Sequence, residues 1–362
     1  MSAVPPSAPP PPGQEPTPTF WPDLLSRLAA GESLSSDEAG DAMRAIMRQQ
    51  ATPAQVGGFL MALRTKGETV DEIEGLAEAT RDLANPVRAG GPVVDTCGTG
   101  GDRAGTFNIS TIGAIVVAGA GVTVAKHGNR AASSRCGSAD LLEALGVRID
   151  LGAGGVERCL AEAGIGFMFA PVFHPAAAYA AGIRRELRVP TVFNFLGPLT
   201  NPARPAAQIV GVSDERMLPK MAEVLARRGV RALVFRGHDG LDELTTTGPS
   251  RVVEAAEGGL EERTLYPGEL GLDRSSAEDL RGGDAEQNAG IAREVLGGGT
   301  GPRRDVVLLN AGAALVVAGR AADLREGMSS AARSIDSGRA GEALERWVAA
   351  SNAAAGADGA TG

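Results

Sequence analysis

The stretch Pro92-Val93-Val94-Asp95-Thr96-Cys97-Gly98-Thr99-Gly100-Gly101-Asp102 decides how the rest of the chain is read. It opens as a short apolar strand, predicted over 92–95, and breaks into a glycine-rich loop. Thr106-Phe107-Asn108-Ile109-Ser110-Thr111 then leads into an apolar helix predicted over 111–120. Strand, glycine loop and helix in that order make one βα unit. Glycines let backbone N–H groups approach an anion closely, and loop hydroxyls with a helix N-terminus complete a phosphate cradle. Taken alone, the same residues also fit a plain glycine-rich turn. Two familiar phosphate signatures are excluded: GxGxxG needs a glycine where Arg103 stands, and a Walker A lysine is replaced by Thr106.

The pattern repeats towards the C-terminus. Apolar strands are predicted over 122–126, 148–151, 166–170, 208–212, 232–235 and 251–254, with helices over 139–145, 219–228 and 309–317 among them. Such alternation predicts a largely parallel sheet covered by helices, with ligands gathering at the carboxyl ends of the strands. Towards the N-terminus the period is helical. Trp21-Pro22-Asp23 opens one helix, Ser35-Ser36-Asp37-Glu38 carries N-cap chemistry for a second, and Thr52-Pro53 and Thr69 start two more. Residues 21–86 therefore predict a small all-helical domain. Residues 1–19 are proline-rich and predict disorder, and 351–362, rich in Ala and Gly, predict a loose tail.

Composition narrows the function. A chain of 362 residues fits about two domains. Lys+Arg is 35 against Asp+Glu 44, a net charge of −9, which argues against a broad sequence-independent grip on nucleic acid. Cys97, Cys136 and Cys159 show no CxxC spacing, so a reducing cytoplasm is expected. The apolar runs near 112–125 and 306–319 are too short for a membrane span and read as core. No secretory signal is read at the start.

Three further segments follow predicted strands. Lys126-His127-Gly128-Asn129-Arg130, continuing to Arg135, concentrates cations in an acidic protein and suits an anionic ligand or a solvated basic loop. Asp242-Glu243 offers adjacent carboxylates for Mg²⁺, or an exposed acidic turn. Phe167 to His174 is aromatic enough to wall a flat ring, and Arg184 downstream suits a substrate carboxylate. Core packing and a surface helix face explain the same residues.

Together the pieces are less ambiguous. GTGGD (98–102), FNIST (107–111), KHGNR (126–130), CGSAD (136–140), FAPVFHPA (169–176), RREL (184–187), NFLGPLTNP (194–202) and GLDELT (240–245) resemble, in order and spacing, the motifs of the anthranilate phosphoribosyltransferase family. The resemblance runs from Trp21 to Val348. It implies an α/β protein of the nucleoside phosphorylase/phosphoribosyltransferase-like kind. A helical domain would span 20–89, with 178–205 returning to it. A larger α/β domain with a mostly parallel central sheet would span 90–177 and 206–350. It also implies a homodimer formed through the helical domains.

The implied reaction joins the amino group of anthranilate to C1 of phosphoribosyl pyrophosphate (PRPP), releasing pyrophosphate. Carried over by position, Gly98, Gly101, Asp102, Thr106, Asn108, Ser110, Thr111, Lys126 and Ser138 would hold PRPP. Gly98, Asn129 and Arg184 would hold anthranilate, with His127, Ala170, Pro171 and His174 lining its path. Ser110 and Glu243 would help hold one Mg²⁺, and Asp242 with Glu243 a second. No dedicated acid or base is implied. Cys136 and Arg135 depart from the family's commoner Ser and Lys. Two rivals are a pyrimidine nucleoside phosphorylase, whose loop is KHSTGG-like, and a non-catalytic nucleic-acid-binding relative, which would show a basic face.

Overall fold

The computed structural model of the protein describes residues 19–131, 135–256 and 259–358. The disorder expected of the proline-rich start lies, Thr19 apart, outside these residues, as do 132–134 of the basic loop. Four helices come first: α1 (Phe20–Ala29), α2 (Ser36–Met47), α3 (Pro53–Lys66) and α4 (Val70–Asp82). Three begin on capping boxes, Ser35 with Glu38, Thr52 with Gln55, and Thr69 with Glu72. In each, the hydroxyl accepts a first-turn N–H and the longer side chain takes the cap's own N–H, at about 1 kcal/mol per cap. Glu72 also accepts from Leu34 N–H at 2.9 Å and from Lys66 Nζ at 2.9 Å, so this buried carboxylate is fully partnered.

The alternating region follows: β1 (Val94–Gly98), α5 (Ile109–Gly119), β2 (Val124–Gly128), α6 (Ser138–Ala144), α7 (Ala153–Ala163), β3 (Ile165–Phe169) and the short α8 (Ala170–Phe173). Helices α9 (Ala178–Leu187) and α10 (Phe193–Leu196) come next, then β4 (Ala207–Gly211), α11 (Leu218–Arg227) and β5 (Arg231–Gly237). The chain closes with β6 (Ser250–Ala256), β7 (Gly259–Leu265), α12 (Ala285–Leu296), α13 (Pro302–Val317), α14 (Leu324–Asp336) and α15 (Arg339–Asp358).

The chain divides into two compact units. One comprises residues up to Ala84 with His174–Thr200, and the other Asn85–Phe173 with Asn201 onward. The junctions lie a few residues from those the sequence suggests, and hydrogen bonds explain the shift. Asn85 N–H donates to Phe173 O at 2.9 Å, Val87 N–H to Pro202 O at 3.4 Å, and the Asn201 amide to Asp95 and Ala125 at 2.8 Å each. Residues 85–89 and 201–205 are thereby tied into the sheet-bearing unit.

That unit holds one seven-stranded sheet in the order β3-β2-β1-β4-β5-β6-β7. Strands β1 to β5 are parallel, and β6 and β7 add an antiparallel edge. Winding runs outward from β1 to β3 and then reverses to β4, so the crevice for ligands falls between the carboxyl ends of β1 and β4. Helices α5 and α13 are buried nearly all round and form the core with the strands, as the two apolar runs predict. Among the described residues no helix is long and apolar enough to cross a membrane.

Two expectations are corrected. Residues 148–151 form no strand: Ile149 and Leu151 are buried, but Arg148 N–H bonds the Ser351 hydroxyl at 3.1 Å instead of a neighbouring strand. The tail expected to be loose from Ser351 is helical to Asp358, because Ser351 and Ala354 pack into the core side of α15. Residues 359–362 lie outside the described residues.

Candidate active site

The site grows from two glycines at the reversal point. Gly98 ends β1 and Gly211 ends β4. A Cβ on Gly98 would lie 2.3 Å from Asp242 Oδ2, and one on Gly211 would lie 1.6 Å from Asp242 O. Only glycine at both strand ends lets Asp242 enter the crevice. Gly100 takes φ +70° and Gly101 φ +87°, the left-handed region that glycine reaches without steric cost. This turn aims Gly100 N–H at Asp242 Oδ2, 2.7 Å away. Ser213, just beyond β4, braces the loop from the other side. Its hydroxyl donates to Gly100 O at 2.7 Å, and its N–H to Thr99 Oγ1 at 3.1 Å.

Glu243 reaches the start of α5, where Ser110 N–H donates to its Oε1 at 3.1 Å. A first-turn N–H without an intrahelical partner, at the positive end of a helix, is a natural seat for an anion. Glu243 is only 9% exposed. Burial raises its pKa, the Asp242 charge raises it further, and Lys126 and the Ser110 N–H oppose the rise. Burial and the Asp102 charge raise Asp242 in the same way. Negative charge is therefore crowded at these strand ends, where Asp102, Asp242 and Glu243 converge. Among the described residues no group of three or more His, Cys, Asp or Glu side chains is arranged to hold a metal. The set on offer is two adjacent carboxylates, Asp102 and the Ser110 hydroxyl, all hard oxygen donors. This fits Mg²⁺, which takes few protein ligands and completes its shell with water and phosphate.

Lys126, in the middle of β2, is 1% exposed and points into the unit. Its ammonium donates to Thr96 O and lies 3.5 Å from Ser110 Oγ. Its charge also favours the ionised form of Asp95, which is fully buried and whose pKa burial raises. Asp95 accepts from Asn201 Nδ2 at 2.8 Å and from His127 N–H at 3.3 Å, joining β1 to β2 and to the asparagine near the end of NFLGPLTNP. Thr111 Oγ1 donates to Ser138 Oγ at 3.0 Å, and Asn108 Nδ2 to Cys136 O at 3.1 Å, so the FNIST segment holds the start of α6.

Gly98, Gly101, Asp102, Asn108, Ser110, Thr111, Lys126, Ser138, Asp242 and Glu243 are thus gathered around one set of strand ends. Thr106 lies further along the loop, in an isolated bridge to Arg281. Asn129 is exposed, its carbonyl taking Ala139 N–H at 3.2 Å and its Oδ1 taking Arg130 N–H at 2.8 Å. Ala170 and Pro171 open α8, and the pairing of Gly128 with Phe169 sets them beside the end of β2. His127 is buried on β2. Arg130 is not the free cation that the basic loop suggests. It pairs with Asp140 at 2.9 Å and with Glu143, and its guanidinium sits 5.6 Å from the Phe169 ring centre.

Arg184 and His174 belong to the helical unit. Arg184, on α9, lies over the Phe193 ring at 5.2 Å and pairs with no carboxylate among the described residues. Burial alone lowers its pKa. His174 is buried, which pushes its pKa down to about 4. Three contributors escape the sequence reading: Ser213, Asn288, and Asn310, whose amide bonds both backbone groups of Leu244 beside Glu243. Ser213 directly follows a predicted strand, so the strand-end rule applied there would find it. The two asparagines carry no local signal.

Residues 90–341 match the glycosyl transferase family, a/b domain, and residues 22–84 the glycosyl transferase family, helical bundle domain. The chain is 57% identical over 335 residues to the anthranilate phosphoribosyltransferase of Arthrobacter sp. (strain FB24), covering 91% of this chain and 95% of that one. The crystal structure of anthranilate phosphoribosyltransferase from Thermus thermophilus matches with a TM-score of 0.87 at 47% identity, over 91% of this chain and 99% of that one. The Saccharomyces cerevisiae enzyme in complex with PRPP and Mg matches with a TM-score of 0.86 at 29% identity, over 93% and 99%. Neither the nucleoside phosphorylase nor the nucleic-acid-binding reading has comparable support. With its motifs in order and nine-tenths of its length matched, the chain belongs to the anthranilate phosphoribosyltransferase family.

Proposed function

We propose that the carboxyl ends of β1, β2 and β5 hold PRPP while Arg184 holds anthranilate. The reaction is that of the family: the phosphoribosyl group of PRPP passes to the amino group of anthranilate, giving N-(5-phosphoribosyl)anthranilate and pyrophosphate, a step of tryptophan biosynthesis. One observation carries the assignment of the site. Backbone donors of the glycine loop and of the α5 N-terminus meet Asp242 and Glu243 at the β1/β4 reversal.

Each residue then has a physical task. Gly98, Gly101, Asp102, Thr106, Asn108, Thr111 and Ser138 bind and orient the phosphorylated sugar with fixed groups that need no reorganisation as charge moves. Lys126 adds positive charge from beneath, through Ser110 and Glu243. Asp242 and Glu243, with Ser110, would hold Mg²⁺, in two ions. Bound Mg²⁺ supplies neutralising charge for the departing pyrophosphate. Arg184, a planar cation with a ring on one face and no carboxylate partner among the described residues, suits a carboxylate held bidentately and would aim the attacking nitrogen. Asn129, Gly98, Ala170, Pro171, His127 and His174 would complete the surroundings of the aromatic ring. An arylamine is neutral near pH 7, so the nucleophile needs no strong base. A homodimer through the helical unit and a cytoplasmic setting complete the proposal, the latter supported by three free cysteines.

The test is direct. Mixed with Mg²⁺, PRPP and anthranilate, the protein is expected to quench anthranilate fluorescence with release of one pyrophosphate per turnover. Unchanged fluorescence, or phosphorolysis of thymidine instead, would overturn the reading.

A further inference from the structure

We infer that Asn288 is a positioning residue that fixes which hydrogen-bonding face Asn108 offers the sugar donor; this rests on reading the strand-end site as the PRPP site. Asn288, the fourth residue of α12, is 1% exposed and 180 residues from Asn108 in sequence. Gly283 N–H donates to Asn288 Oδ1 at 2.7 Å. A backbone N–H only donates, so that end of the Asn288 amide is fixed. Asn288 Nδ2 therefore faces Asn108 and donates to its Oδ1 at 2.8 Å. The far end is fixed as firmly, because Cys136 O only accepts, and it takes Asn108 Nδ2 at 3.1 Å.

A one-way relay thus runs from Gly283 N–H through two amides to Cys136 O. Asn108 Oδ1 is occupied by Asn288 and by the Cys136 thiol at 3.3 Å, while Nδ2 has used one of its two hydrogens. The amide has only a donor left to offer, which is what a phosphate oxygen needs. Turned over, Asn108 would present an oxygen to an anion and repel it. The surrounding backbone holds this register. Phe107 N–H donates to Leu280 O at 3.1 Å and Gly282 N–H to Gly105 O at 2.9 Å, and a Cβ on Gly282 would lie 2.7 Å from Phe107 Cα.

The experiment is a calorimetric titration of full-length protein with PRPP in excess Mg²⁺, for the unaltered chain, Asn288→Ala, Asn108→Ala and the double variant. Asn288→Ala is expected to weaken PRPP about tenfold, with the KM for anthranilate within about twofold of the unaltered value. In the Asn108→Ala background the same substitution is expected to cost less than about twofold. Asn288→Asp keeps the shape and the Gly283 bond but loses the donor. It is expected to weaken PRPP at least as much, and it serves if the alanine variant does not fold. Unaltered PRPP affinity in both Asn288 variants, or an equal loss in the two backgrounds, overturns the inference. Failure of the unaltered chain to bind PRPP overturns the reading of the site and the inference with it.

Discussion

The strand-end loops of the sheet-bearing unit and the α9–α10 stretch of the helical unit treat polar groups in opposite ways. In the loops several key donors already have acceptors. Gly100 N–H is on Asp242, Ser110 N–H on Glu243, and Lys126 on Thr96 O. Arg130 is neutralised by Asp140 and Glu143. On α9, half-buried Arg184 lies over the Phe193 ring and pairs with no carboxylate among the described residues. The loops have an excess of buried negative charge, and the helix has an unanswered positive one. A shell that already has its anions calls for a cation to join them, whereas a half-buried guanidinium without an anion calls for a carboxylate. This contrast is the physical basis for proposing that the loops take a metal-bearing polyphosphate and Arg184 an aromatic acid.

The contrast is broken most severely at the loops. Asp242→Asn combined with Glu243→Gln removes the excess charge and keeps the shape. It is expected to lower kcat by about 1,000-fold or more and to abolish the response to Mg²⁺. A double variant that turned over normally with an intact Mg²⁺ response would place the metal elsewhere. Next in size is Arg184→Ala, expected to raise the KM for anthranilate about a hundredfold while leaving that for PRPP within about twofold. Arg184→Lys is expected to restore only part, since a point charge neither stacks on Phe193 nor forks onto a carboxylate. Equal effects on the two substrates would show that Arg184 supports the fold and not the acid.

The smallest effect sharpens the picture of the helical unit as a dry environment. His174 is held neutral, its pKa pushed down from 6.5 to about 4 by burial. Between these values the unfolded chain takes up a proton that the folded one refuses. The stability contribution is therefore complete above pH 6.5 and declines as pH falls towards 4. At pH 5 the loss is about 2 kcal/mol, read as the difference in denaturant midpoint between the unaltered chain and His174→Gln at pH 7 and pH 5. Parallel pH dependence in the two proteins would mean that His174 titrates as if exposed.

Much of this was legible in the residues because it is local. Ser35, Thr52 and Thr69 start helices through partners three residues away. Gly98 to Asp102 announces a turn, and Asp242-Glu243 directly follows a strand. What was not legible depends on distant pairing. Strand β1 runs on through Gly98 because β4 pairs with it residue by residue to Gly211, which 92–95 alone cannot reveal. Strand β7 is almost wholly exposed and rich in Glu and Arg, with no alternation to read, and exists because β6 offers it a partner. Residues 148–151 alternate like a strand, yet their neighbour is α15. Asn288 and Asn310 act across 180 and 66 residues, through single amides that leave no spacing behind.

The most direct test of the central claim is an anomalous diffraction map of crystals soaked with PRPP and Mn²⁺ in place of Mg²⁺. Two metal peaks sharing Glu243 are expected, one also on Asp242 and one on the Ser110 hydroxyl, with the diphosphate between them and the glycine loop. Metal and PRPP bound away from the β1/β4 crevice, with Asp242 and Glu243 untouched, would contradict that claim.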